Sequence, residues 1–343
     1  MNNYMLYVFE NLIKTTIVCS LGICLLLFLK RYLFKKFSKR FNYYIWLIIV
    51  FRMLLFLFNY TIVYEVKEPK ENAVRNNITQ IDISTDNNLM LYVAYLWLFV
   101  TIVIAVYTFI KYTRFKNLVV DVSYDIEDND INCIYKNLLK ELNIKKKIEL
   151  RGSDELVSPA GMGLFKSYIF LPDYPYSKDE LTWILKHELM HFKNKDILIK
   201  FLVLSVRIIY WFNPLVYVMS NKVNLDCELC CDESVLIDCS LKKKEYALAL
   251  IKSIKLSKNY NSGILTTEFN KTSLEKRLDS IVKKKGKSGI LVLLILITLF
   301  SVTYFNFESI SFDNSNSLRN MGILQKSGVD LKEEDDISMR VIN

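Results

Sequence analysis

Histidine is almost missing from this chain: two of its 343 residues are His. Any imidazole chemistry therefore falls to that one pair. Proline and glycine are scarce, at five and nine residues, which excludes collagen-like and low-complexity architectures. Seven cysteines are present, but none lies between residues 25 and 132 or after 239. Those stretches hold no disulfide framework, and the thiols at 133 and beyond suit a reducing compartment. The opening residues, MNNYMLYVFE, carry no basic stretch and no A-x-A-like site follows, so they do not read as a cleaved leader. A charged fraction of 24% argues against wholesale disorder.

What abounds is apolar. Hydrophobic residues make up 52% of the chain and aromatic ones 13%, with a mean hydropathy of +0.20 beside a net charge of +9. These properties coexist when apolar and basic residues are segregated into blocks. A spanning helix needs about 20 mainly apolar residues, and such runs fall at 4–29, 43–63 and 89–111, with a shorter fourth at 289–306. Glu10 and Lys14 share a helical face in the first run, and Arg52 interrupts the second.

Loop charges orient these runs. Lys30, Arg31, Lys35, Lys36, Lys39 and Arg40 crowd the first connection with no acid among them, whereas the second (64–88) has five acids against three bases. Lys111, Arg114 and Lys116 follow the third run, and Lys283, Lys284, Lys285 and Lys287 precede the fourth. The tail 307–343 has seven acids against four bases. The positive-inside rule then places both termini outside and residues 112–288 in the cytoplasm of a multi-pass plasma-membrane protein. The basic clusters are accounted for by membrane junctions, so lipid is the expected partner and direct nucleic-acid binding is not.

The 112–288 block starts as a small strand-rich unit. A helical pattern at Ile134–Leu142 is followed by apolar runs at Ile148–Leu150 and Tyr168–Leu171, punctuated by Ser158-Pro159-Ala160-Gly161, Pro172 and Pro175. Ser177 and Glu180 then form a capping-box pattern. The helix it opens contains His187-Glu188-Leu189-Met190-His191. Residues four apart on a helix face the same way, so both imidazoles suit one metal, with Glu188 beside them as a general base. Two randomly placed histidines would fall into this pattern in on the order of 0.03% of chains of this length.

Zinc needs a third protein ligand, and with no histidine left it must be a carboxylate or a thiolate. Asn213-Pro214 starts a helix, with Pro at its first position, that carries Cys227, Glu228, Cys230, Cys231 and Asp232. Glu228 and Asp232 are four apart, so one carboxylate suits the metal while the other orients a histidine. The Cys227-x-x-Cys230 pair is a weaker metal signal. Residues 197–220 are apolar but carry Lys200 and Arg207 seven apart, which suits one helix skirting the inner leaflet. Helices at 242–256 and from Thr272-Ser273-Leu274-Glu275 to Lys285 read as packing elements with a solvated lysine face. For an oxyanion-stabilising group, Tyr210, Tyr217 and Arg207 remain open.

These motifs together resemble the integral-membrane gluzincin peptidases of the BlaR/MecR type. The resemblance rests on three N-terminal apolar runs, Ser158-Pro159, Gly163-Leu164-Phe165 before Tyr168-Ile169-Phe170-Leu171-Pro172, His187-Glu188-x-x-His191, Trp211-Phe212-Asn213-Pro214-Leu215 and Glu228-x-x-Cys231-Asp232. It covers roughly residues 1–306. It implies a mainly α membrane protein with four transmembrane helices and a cytoplasmic α+β zinc-protease domain. It also implies Zn2+ on His187, His191 and Glu228, Glu188 as base and Asp232 behind the ligands. The strand before the metal helix would line the substrate cleft, with Leu164, Tyr168 and Phe170 as its contacts. Such proteins act in antibiotic-resistance regulation, cleaving a cytoplasmic substrate, in the expected case a winged-helix repressor, sometimes with self-cleavage, and a homodimer is one expected state. The family's extracellular penicillin-binding domain has no counterpart in the 37 residues after 306. Two other functions fit the same motif: a CAAX-processing or heat-shock-type quality-control protease, and a non-proteolytic transducer with structural zinc.

Overall fold

A computed structural model describes residues 2–57, 60–66, 87–154, 156–237, 242–260, 267–283, 286–290, 292–294, 296–297, 305–311 and 339–342. In chain order the elements begin with α1 (Asn2–Tyr32), α2 (Lys39–Tyr44), α3 (Trp46–Leu54), β1 (Tyr60–Val66) and α4 (Asn87–Asp121). There follow β2 (Tyr124–Asp125), α5 (Asn129–Glu141), β3 (Ile148–Gly152), β4 (Ala160–Met162), β5 (Ser167–Leu171) and α6 (Lys178–Lys193). The chain continues with α7 (Asp196–Ile209), α8 (Pro214–Val235), α9 (Lys243–Tyr260), α10 (Thr267–Val282), β6 (Phe305–Ser311) and β7 (Met339–Ile342). It is mainly helical with two small sheets. The chain divides into two compact units, one of Met1–Val18, Leu55–Leu96 and Leu294–Asn343, the other of Cys19–Leu54 and Trp97–Leu293.

Among the described residues two helices, α1 and α4, are long and apolar enough to cross a membrane. At 1.5 Å per residue the 35 residues of α4 reach roughly 52 Å, beyond a ~30 Å hydrocarbon layer. The helix leaves Tyr92, Phe99, Tyr107 and Phe109 exposed, an apolar surface that calls for lipid. The second apolar run differs from its expected helix over 43–63. Its helix α3 has nine residues, about 13.5 Å, and Tyr60–Val66 is a strand. The segment YTIVYEV is β-branched and aromatic, which favours that conformation. In the first unit β1 pairs parallel with β6 and antiparallel with β7. The fourth run lies partly outside the described residues; 290, 292–294 and 296–297 are helical, and β6 starts at Phe305.

The second unit holds a four-stranded sheet of order β2-β3-β5-β4. Its core packs Ile148, Ile169 and Leu171 of the sheet against Leu138 of α5, Leu185 and Leu189 of α6, Val235 of α8 and Tyr246 of α9. Leu185 and Leu189 are wholly buried, each worth ~1.5–3 kcal/mol of apolar transfer. The cap of α6 forms as the sequence pattern requires: Glu180 N donates to Ser177 Oγ at 3.3 Å, and Ser177 N to Glu180 Oε2 at 2.9 Å. The Asn213 side chain accepts from Leu215 N at 3.0 Å to open α8, with Pro214 in its first turn. That cap and proline break the expected continuous helix 197–220 into α7 and α8, because proline cannot continue a helix through its missing N–H. α10 starts at Thr267 rather than at the Thr272 capping pattern, which lies inside it.

Candidate metal centre

Helix α6 presents His187 and His191 on one face, and their Nε2 atoms stand 3.2 Å apart. Helix α8 crosses opposite them. Glu228 Oε2 lies 3.4 Å from His187 Nε2, and Oε1 lies 3.7 Å from His191 Nε2. Both Nε2 atoms and the Glu228 carboxylate, from two helices, thus converge. Glu188 lines the same cavity of about 630 Å³. A Cβ at Gly161 of β4 would come within 2.8 Å of the Phe192 ring and 3.6 Å of Glu188 Oε2. Glycine there lets the edge of the sheet press against the metal helix.

Each imidazole is oriented by its other nitrogen, by different means. His191 Nδ1 meets Asp196 Oδ2 at 2.7 Å, and Asp196 is buried. This contact depends on the tight turn between α6 and α7, where Lys195 adopts left-handed φ 61°. That conformation is uncommon for a residue with a Cβ and brings Asp196 back under the histidine five residues earlier. His187 Nδ1 instead meets the Tyr246 hydroxyl at 2.9 Å. Tyr246 donates onward to Asp232 Oδ1 at 2.5 Å, and Arg277 grips Asp232 through Nε at 2.9 Å and Nη2 at 2.8 Å. Asp232 Oδ1 is itself 3.5 Å from His187 Nδ1. Arg277 Nη1 also lies 3.3 Å from Glu228 Oε2, and Lys200 Nζ lies 3.8 Å from Glu228 Oε1.

The charges around the site favour a cation. Burial disfavours charge on His187, but Cys231 and Glu228 outweigh it and lift its pKa to about 10. Burial pushes Glu228 up, yet His191, His187 and Arg277 hold it well below the usual carboxylate range. The carboxylate and thiol groups facing the imidazole pair therefore favour positive charge there.

The structure brings together Glu188, His187, His191, Glu228 and Asp232. It does not bring Leu164, Tyr168 or Phe170 to the cavity. Tyr168 and Phe170 are buried against Val119, and their strand β5 has both edges occupied, by β3 and β4. The strand at the cavity is the edge strand β4, with Ser158, Pro159 and Gly163 flanking it. Tyr210, Tyr217 and Arg207 are also elsewhere: Tyr210 donates to Met53 O at 2.9 Å, Tyr217 to Trp211 O at 3.0 Å, and Arg207 stacks on Tyr217. Among the polar groups that line the cavity are Tyr246 and Arg277, from helices read as packing elements. Lys200, assigned to a solvated helix face, turns toward Glu228. Cys227 and Cys231 come near the imidazoles on their Nδ1 side, at 4.0 Å and 3.5 Å. Among the described residues Cys230 joins no metal-binding group.

A buried His, His, carboxylate triangle lined by a base, in a chain with long lipid-seeking helices, defines a membrane metallopeptidase. The chain belongs to the BlaR1 peptidase M56 family, whose model matches residues 10–281. It is similar to the regulatory protein BlaR1 of Bacillus licheniformis, 28% identical over 191 residues, 52% of this chain and 32% of that one. It is also similar to BlaR1 of Staphylococcus aureus, 26% identical over 318 residues, covering 85% of this chain and 54% of the relative. With the methicillin resistance mecR1 protein of S. aureus the match is 25% over 257 residues, 66% and 43% of the two chains. This chain thus spans between about a third and a half of the length of these relatives.

Proposed function

We propose that the chain is a zinc endopeptidase whose catalytic unit faces the cytoplasm and which acts in antibiotic-resistance regulation by cleaving a repressor or itself. The convergence of His187 Nε2, His191 Nε2 and Glu228 carries this reading. The two Nε2 atoms are 3.2 Å apart, and one Glu228 oxygen lies 3.4 Å from the first and the other 3.7 Å from the second, spacings near the roughly 3.3–3.6 Å between neighbouring ligands at zinc–ligand bonds of about 2.0–2.2 Å. Zinc held there supplies Lewis acidity that polarises a carbonyl and acidifies water. Glu188 takes the proton from the attacking water and returns it to the leaving amine. Arg277, whose Nη1 lies 3.3 Å from Glu228 Oε2, is the donor placed to meet the developing oxyanion, the task otherwise lacking a residue. The free edge of β4 takes an extended substrate backbone by strand addition.

The loop charges support an outside position for both termini. The pairing of β1 with β6 and β7 supports it too, since it joins the acidic 64–88 connection to the tail. Four crossings remain part of the proposal.

Glu188→Gln in the full chain, co-expressed with candidate repressors, tests the reading. Cleavage should fall by at least 10²-fold while zinc content stays at one per chain. Undiminished cleavage by that variant would refute it.

A further inference from the structure

Asp226 stands two residues before Glu228 on α8, so the two side chains leave the helix about 200° apart. Asp226 therefore points away from the metal, and it is caught there by the membrane-proximal helices. Lys30 of α1 forms an ion pair with its carboxylate. The indole N–H of Trp46, at the start of α3, donates to the same oxygen at 2.7 Å. Lys30 also donates to Asn42 O at 2.5 Å and lies 4.7 Å above the Trp46 ring. The charged side chains are largely buried, at 14% and 13% exposure, and Trp46 wholly so. About two turns further along α8, Glu233 accepts from Arg40 N at 3.3 Å.

A buried ion pair contributes little net stability, and its best-attested use is to fix register. Register matters here. A rotation of α8 by ~10° moves a carboxylate ~6 Å from the axis through about 1 Å. A misplacement of that size can cost on the order of 10²-fold in rate.

We propose that Lys30 and Trp46 are positioning residues for the metal ligand Glu228, acting through Asp226, so that the first apolar helix sets the geometry of the metal centre. This rests on the metallopeptidase reading above. A shift or turn of α1 at Lys30 then reaches the ligand through one rigid helix.

The test uses the full chain in lipid nanodiscs loaded with Co2+, whose visible absorption reports ligand geometry, beside zinc affinity and steady-state cleavage. Asp226→Asn should alter the cobalt spectrum, weaken zinc at least tenfold and lower kcat at least tenfold, with KM within twofold. Lys30→Arg, which keeps the charge, should restore most of what Lys30→Met loses. Trp46→Phe keeps the aromatic volume and decides by the same readings if Asp226→Asn does not fold. Spectrum and zinc affinity unchanged within twofold in the folded variants would overturn the proposal. A parent chain that takes up no cobalt would overturn the reading beneath it instead.

Discussion

The two histidines of the metal centre are steadied from opposite directions of the chain. His191 relies on Asp196, five residues away across one turn. His187 relies on Tyr246 and Arg277, 59 and 90 residues on, joined through Asp232. The first support is local and forms wherever α6 and its turn form. The second requires α9 and α10 to dock on α8. One side of the site is therefore as robust as a helix end, while the other is as robust as the whole unit.

The largest effect should come from breaking the long-range side at its charge. Arg277→Met leaves Asp232 buried and unpaired, and should destabilise the second unit by ~3–5 kcal/mol, measured by denaturant unfolding in detergent. A loss below ~1 kcal/mol would mean that the docking of α10 does not depend on this pair. Next, Asp196→Asn should weaken zinc by about 10–100-fold, read by chelator competition, with little change in unfolding. Tyr246→Phe keeps the ring and removes two hydrogen bonds, to His187 and to Asp232, so it should cost ~1–3 kcal/mol. If Tyr246→Phe weakened metal binding more than Asp196→Asn, the contrast between local and distant support would be inverted.

The smallest effect lies at the start of α6. Burial pushes Glu180 up, but Lys252 and the Ser177 N–H outweigh it and hold its pKa below the ordinary 4.5. A carboxylate with a depressed folded pKa contributes stability above its ordinary value and loses it as pH falls through the folded one. Acid melts should therefore show a shallow loss below 4.5 that Glu180→Gln removes. Ser177→Ala should cost about 1 kcal/mol at neutral pH.

The same contrast explains what was legible in the sequence. His187, Glu188, His191 and Glu228 follow from helical spacing, and Ser177, Glu180 and Asn213-Pro214 from capping chemistry, all of them local rules. Asp196 was within reach, as an acid opening the next helix, but the left-handed Lys195 that folds it back has no sequence signature. Tyr246 and Arg277 carry no periodic signal linking them to the motif, so they read as packing and solvated face. The strand expected at the cavity, with Leu164, Tyr168 and Phe170, differs from the one found there, β4. All five residues of Ser167–Leu171 are buried, the mark of a central strand, and an apolar run such as SYIFL points the same way. A free edge was to be sought in the short, glycine-bearing segment beside it. The second apolar run shows that hydropathy measures apolarity, while β-branched residues decide how it is shaped.

Strand β4 is three residues long. So short a ladder offers a peptide only a few backbone hydrogen bonds, each worth ~0.5–1.5 kcal/mol net, against the entropy of ordering the chain that makes them. Grip of that size leaves most passing polypeptides untouched. Discrimination then falls to local abundance: a substrate tethered or recruited nearby sees an effective concentration that a free one never reaches. If the chain is the peptidase proposed above, weak grasp is itself a safeguard, and proximity becomes the permission to cut.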